Sequence, residues 1–321
     1  MGPSWVDPRS GEILNASVYL YHNVIKLISN WLFVQTAQAD KDVRTVNIPD
    51  EMVGDALRYV LSHEIGHCLG FMHNMGASST FPVDSLRSPE FTQKYGTTPS
   101  IMDYARFNYV AQPEDNVGPA GLYPRINIYD KWAIKWGYMP VFDVKDDEEE
   151  RLVLNELTVK TLANNPRLWF GSEEIRIDPR SQREDLGDNS MKASEYGIKN
   201  LKRIVKTLPD WTYEEGDLNT NLHRMHQELI GQFRRYLGHV AANVGGIYRN
   251  YKSVEEAGNV YQPVPKATQK EALAFFDAQL FTKPAWITGE PYMFRIYQSP
   301  EAELTKLIDY VFDPSASALI D

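Results

Sequence analysis

Apolar and polar residues alternate near the start of the chain, with Leu14, Ala16, Val18 and Leu20 set between Asn15, Ser17, Tyr19 and Tyr21. A period of two predicts a half-buried strand over about 12–21, after a turn at Asp7-Pro8-Arg9-Ser10-Gly11. From His22 the spacing changes. Val24, Leu27, Ile28, Trp31 and Val34 recur every three to four positions and predict a helix over about 22–38. After a mostly polar link, Gln38 to Asn47, the same spacing returns at Met52, Val53, Ala56, Leu57, Val60 and Leu61. This predicts a second helix that starts on Asp50 as N-cap, runs to about Leu69 and stops at Gly70. Residues 74–128 show little periodicity and are rich in Gly, Pro, Ser, Thr and Asn, so they read as a long loop region; such loops are usually functional or disordered. Asp130 is a candidate cap for a short helix, Lys131 to Trp136, ended by Gly137. The charge run Lys145 to Arg151 marks a candidate boundary. Beyond it, helical spacing dominates at about 151–164, 191–207, 216–245, 267–279 and 300–312. The pattern predicts an α+β chain, predominantly α, divided into a first segment over 1–144 and a mostly helical domain over 145–321.

Composition narrows the function classes. The chain has 321 residues, is 43% hydrophobic and 24% charged, and carries a net charge of −10. An acidic chain lacks the cationic footprint that nucleic acid selects, and an anionic membrane surface is disfavoured for the same reason. The most apolar stretch, Val18 to Val34, is interrupted by His22, Asn23, Lys26, Ser29 and Asn30 and is too polar for a membrane span. Met1 to Ser10 lacks the features of a signal peptide. The chain opens on what reads as mid-domain sequence and is expected to be part of a longer one. The single cysteine, Cys68, excludes a disulfide within the chain.

The chemistry concentrates in H-E-I-G-H-C-L-G-F-M-H, which runs from His63 to His73. On a helix turning ~100° per residue, His63 and His67 lie about 40° apart, so both imidazoles can grip one ion. Glu64 lies beside them, placed to polarise a water. A continuing helix would carry His73 about 240° away from His67, on the wrong side. Gly70 stands where a sharp turn is needed, and glycine accepts the left-handed backbone of a helix end. Three neutral imidazole nitrogens leave a fourth zinc position open, as a catalytic site requires. The pattern fixes five positions, three of them among the seven histidines of the chain, which argues against chance.

This motif resembles that of the metzincin zinc endopeptidases, whose second mark is a methionine turn downstream of the third histidine. Ser100-Ile101-Met102-Asp103-Tyr104 fits that turn. The resemblance implies that Met102 underlies the zinc site and that Tyr104 approaches the zinc and stabilises the tetrahedral intermediate. The whole chain is similar to a bacterial, Bacteroidetes-like family of zinc metalloproteases with a metzincin-type segment and a long helical C-terminal extension. The stretches that carry this are W-V-D-P-R-S-G-E-I at 5–13, Y-D-K-W-A-I-K-W-G-Y at 129–138 and Q-R-E-D-L-G-D-N at 182–189. It implies a metzincin-like catalytic segment over 1–144, a Zn2+ cofactor, a peptide or protein substrate and a site of action outside the cytoplasm. It further implies that the strand at 12–21 pairs with extended substrate and that Ala105 to Tyr109, with Arg106 and Phe107, forms the wall of a substrate pocket. One departure stands out: only about 50 residues precede the zinc helix, too few for the full metzincin upper sheet, so the sheet is expected to be truncated.

The remaining candidates are weaker. Cys68 points about 100° away from His67 and reads as a buried, inert thiol. His22, His223, His226 and His239 are isolated from the motif. Asp178, Glu184, Asp185, Asp188 and Asn189 form an acidic loop without the calcium-loop pattern, and helix capping is the favoured reading. The leading function is a zinc-dependent endopeptidase, with Glu64 as general base and Tyr104 as transition-state stabiliser. The alternatives are a non-catalytic, zinc-stabilised peptide-binding module and a zinc hydrolase acting on a non-peptide amide.

Overall fold

A computed structural model describes residues 4–173, 177–296 and 300–312. The first three positions of the segment read against a signal peptide lie outside them. Strands are few and short. β1 (Ser4–Val6) pairs antiparallel with β2 (Ile13–Ala16) across a turn in which the Asp7 carboxylate accepts from the backbone and guanidinium of Arg9. The strand is shorter than the alternation over 12–21 predicts. Ala16 faces Ser4, the first described residue, so no described partner continues the ladder.

Two helices then carry the chain into the core. α1 (Asn23–Thr36) buries Ile28, Leu32, Phe33 and Val34 at its C-terminal half. α2 (Asp50–Cys68) packs against it and buries Val53, Ala56, Tyr59, His63 and Gly66. Their three- and four-residue spacing forms one stripe, so the face that folds the helix inward also carries His63 into the structure.

The aperiodic stretch 74–128 is ordered and deeply packed: Phe81, Leu86, Met102, Phe107 and Tyr109 are all buried. Side chains satisfy the irregular backbone here, as when the Asn108 amide donates to the carbonyls of Leu86 and Gly121. The stretch also contains an unforeseen helix, α3 (Pro89–Tyr95), capped by Ser88 with Pro89 in the first turn and Gly96 at positive φ after its end. Seven residues are too few to show a period. In α4 (Ile128–Tyr138) the cap is Asn127 rather than Asp130. Asp130 instead closes a capping box by accepting from Asn127 N at 2.8 Å, and Gly137 lies inside the helix. The charge run is the start of α5 (Asp147–Asn164): Asp146 accepts from Glu149 N, and four acidic side chains fill the first turn, where the helix dipole favours them.

The C-terminal half is helical. α6 (Ser190–Trp211) and α7 (Thr220–Ala241) pack along each other and against α1. A second hairpin, β3 (Ile247–Arg249) with β4 (Tyr261–Pro263), leads to α8 (Lys266–Phe276), α9 (Ala285–Thr288) and α10 (Pro300–Phe312). One hydrophobic cluster runs from Ile28 through Met102 and Phe233 to Leu307, across the charge run at 145–151. Among the described residues no helix is long and apolar enough to cross a membrane.

Candidate metal centre

The end of α2 builds the site. Leu69 caps the helix and Gly70 follows at φ +84°. Phe71 N donates to Gly66 O at 3.0 Å and Gly70 N to His67 O at 2.9 Å, the paired bonds of a Schellman motif. The chain thereby reverses and brings His73 back beside His63 and His67. The same turn orients a ligand, because Phe71 O accepts the Nδ1 proton of His67 at 2.8 Å.

The three Nε2 atoms form a nearly equilateral triangle with edges of 3.1, 3.0 and 3.2 Å. Every Nδ1 faces an oxygen that can only accept: Ile101 O for His63, Phe71 O for His67 and a carboxylate oxygen of Glu173 for His73. The ring protons therefore sit on Nδ1, and three Nε2 lone pairs converge on one point. Burial pushes His63 down to about 4, which keeps it neutral as a ligand must be, and burial lowers His67 as well. Converging lone pairs repel one another unless a cation lies among them. A tetrahedral zinc with nitrogens at about 2.0–2.1 Å spans ligand edges of about 3.3–3.4 Å, so the donor set fits zinc in type, protonation and spacing. Among the described residues these three histidines are the group able to hold a metal.

The methionine turn lies under this triangle. Met102 is fully buried, and a Cβ on Gly66 would stand 2.3 Å from its Sδ, so the absence of a side chain at Gly66 admits the thioether beneath α2. Asp130 fixes the turn by accepting from Ser100 Oγ and Ile101 N, which steadies the carbonyl that holds His63. At the far end of α4, Tyr138 donates to Leu69 O at the close of the zinc helix.

The Met-zincin family model matches residues 45–319. The chain belongs to this family. No curated protein and no solved structure matches it. The Met-zincin assignment makes the chain a metallopeptidase-type hydrolase with a zinc cofactor, and its three histidines lie close enough together to hold that ion.

Several parts of this Met-zincin centre come from far along the chain. The Tyr104 ring stacks on His63 at 5.0 Å and lies 4.5 Å from His73; burial raises its phenol, so it stays protonated at neutral pH. Two guanidinium groups approach the same ring, Arg106 at 4.6 Å and Arg183 at 5.7 Å. Glu184 N donates to Tyr104 O, so the Q-R-E-D-L-G-D-N loop grips the last residue of the turn. Glu173 lies outside any motif, 100 residues past His73, and Arg183, 110 residues past it, belongs to the Q-R-E-D-L-G-D-N stretch, where no local signal ties either residue to the metal centre. Gly66 was visible only as an unspecified position of the motif.

Other candidates take structural places. Cys68 is half-buried rather than enclosed and is not in the metal group. His22 and His223 are exposed. His226 bonds to Tyr292 OH, and His239 Nε2 donates to Arg183 O. The acidic loop anchors and caps: Asn189 caps α6, Asp188 accepts from Val83 N, Asp185 accepts from Ser190 Oγ, Glu184 pairs with Arg106 and Arg235, and Asp178 pairs with Arg180. Phe107 and Tyr109 are buried in the shared core and do not face a cleft; in Ala105–Tyr109 only Arg106 is partly exposed.

Proposed function

We propose that this chain is an endopeptidase that hydrolyses peptide bonds with a base-activated water. The observation that carries the reading is the triangle of Nε2 atoms with edges of 3.0–3.2 Å, with Glu64 on the same helix next to His63. Zinc, when bound there, polarises a carbonyl and lowers the pKa of water to about 7. Glu64 takes the proton of the attacking water and delivers it to the leaving amine. Tyr104, held against His63 and His73, donates its phenolic proton in a hydrogen bond to the developing oxyanion. β2 pairs only with β1 among the described residues, and its other edge is available to an extended substrate chain. Ile13 of β2 approaches Gly70 at the end of the zinc helix, which supports this edge as the neighbour of the site. The site of action we propose is outside the cytoplasm.

The test is incubation of the zinc-loaded protein with a denatured protein mixture, followed by mass spectrometry. Internal cleavages that disappear on chelation are expected. A zinc-loaded protein that leaves every chain intact while retaining peptides would instead favour a peptide-binding module.

A further inference from the structure

His73 is the ligand without a helix. It lies in the irregular stretch after Gly70, and among the described residues its Nδ1 meets no backbone carbonyl of the kind that serves His63 and His67. Its partner is the Glu173 carboxylate, at 2.5 Å. We propose that Glu173 is a positioning residue of the metal centre: it fixes the tautomer and orientation of His73 and strengthens the Nε2 donor. The proposal rests on the zinc reading above and deepens it.

The placement of Glu173 is built by its surroundings. The Asn74 side chain donates to Trp169 O at 3.0 Å and accepts from Gly171 N at 2.9 Å, so the residue after His73 binds both ends of the short segment before Glu173. Gly76 N donates to Gly171 O, and the two backbones lie so close that a Cβ on Gly171 would stand 2.7 Å from Gly76 Cα. Next to Glu173, Ser172 O accepts from Ser181 Oγ at 2.8 Å, and Ser172 Oγ accepts from Tyr251 OH at 2.9 Å. The second carboxylate oxygen of Glu173 accepts from the Arg183 guanidinium. Arg183 is itself fixed through its backbone, since its carbonyl accepts from the buried His239 and the next amide bonds to Tyr104 O. The carboxylate is thus clamped from two sides while it holds His73. A carboxylate behind a metal-bound imidazole raises ligand basicity, and its removal typically weakens metal binding 10–100-fold.

The experiment is zinc affinity by competition with a chromophoric chelator, for wild type, Glu173→Ala and Glu173→Gln, with circular dichroism to confirm folding. Glu173→Ala should bind zinc about 10–100-fold more weakly. Glu173→Gln retains an oxygen that can accept from Nδ1 and should recover part of that loss. If the alanine variant does not fold, the nearly isosteric Gln variant carries the test and should still bind more weakly than wild type. Substitution with Co2+ adds a second readout, because a weakened His73 donor should shift the visible bands in both variants. Wild-type affinity and unshifted bands in a folded variant would overturn the proposal. A wild type that binds no zinc would overturn the metal-centre reading itself, and the assignment of Glu173 with it.

Discussion

The thioether of Met102 occupies the space that a side chain on Gly66 would need, since a Cβ there would stand 2.3 Å from Sδ. The floor of the metal centre and the helix that carries two of its ligands are therefore fitted to each other at one point. Gly66→Ala should destabilise the fold by about 1–3 kcal/mol through overpacking. Met102→Ala should cost about 2–5 kcal/mol through the cavity it leaves. In the double variant the new methyl enters that cavity, so the combined loss should be smaller than the sum. Urea unfolding of the four proteins measures the coupling, and strict additivity would contradict the contact.

Asp103, next to Met102, gives a pH dependence of definite sign. Its Oδ2 accepts from Ser78 N and Thr98 Oγ1, Oδ1 is buried without a hydrogen bond among the described residues, and burial pushes the carboxyl up to about 8 from an ordinary 3.8. Between those values the folded protein holds a proton that the unfolded chain lacks, so the stabilising contribution is complete below about 4 and is lost as pH rises towards 8. Asp103→Asn should flatten the fall in stability over that window, as followed by thermal unfolding between pH 5 and pH 8. An unchanged slope would contradict a buried, protonated Asp103.

Metal content follows from the triangle of nitrogens. The purified protein should hold about one zinc per chain, and His67→Ala should lose it. Full occupancy in His67→Ala, read by elemental analysis, would show that the ligands are assigned wrongly.

Tyr104→Phe keeps the ring that packs on His63 and His73 and removes only the hydroxyl. Zinc content and melting temperature should stay near wild type while kcat falls, by less than in Glu64→Gln. Steady-state cleavage of one fluorogenic peptide by the three proteins ranks them. A kcat equal to wild type would leave Tyr104 as a packing residue.

What could be read along the chain was what depends on near neighbours. His63, Glu64 and His67 share one helical turn, and Gly70 signals the reversal that returns His73, so the ligand set follows from local geometry. The resemblance supplied Met102 and Tyr104. Glu173 reaches His73 through tertiary pairing of residues 74–76 with 169–171, which leaves no periodic trace. The strand over 12–21 ends early because its length depends on a partner, and alternation carries no record of one. α3 has clear caps but too few residues for a hydrophobic period. Asn127 caps α4 because the helix already begins at Ile128, and Asp130, the more obvious acid, closes the capping box and holds the methionine turn from inside it.

We propose Glu64 as the base of a zinc peptidase whose ligands are His63, His67 and His73. The most direct measurement is the rate of peptide cleavage by wild type and Glu64→Gln at matched zinc content. The expected result is equal zinc in both proteins and a rate about 10²–10⁴-fold lower in the variant. Equal rates in the two proteins would contradict the claim.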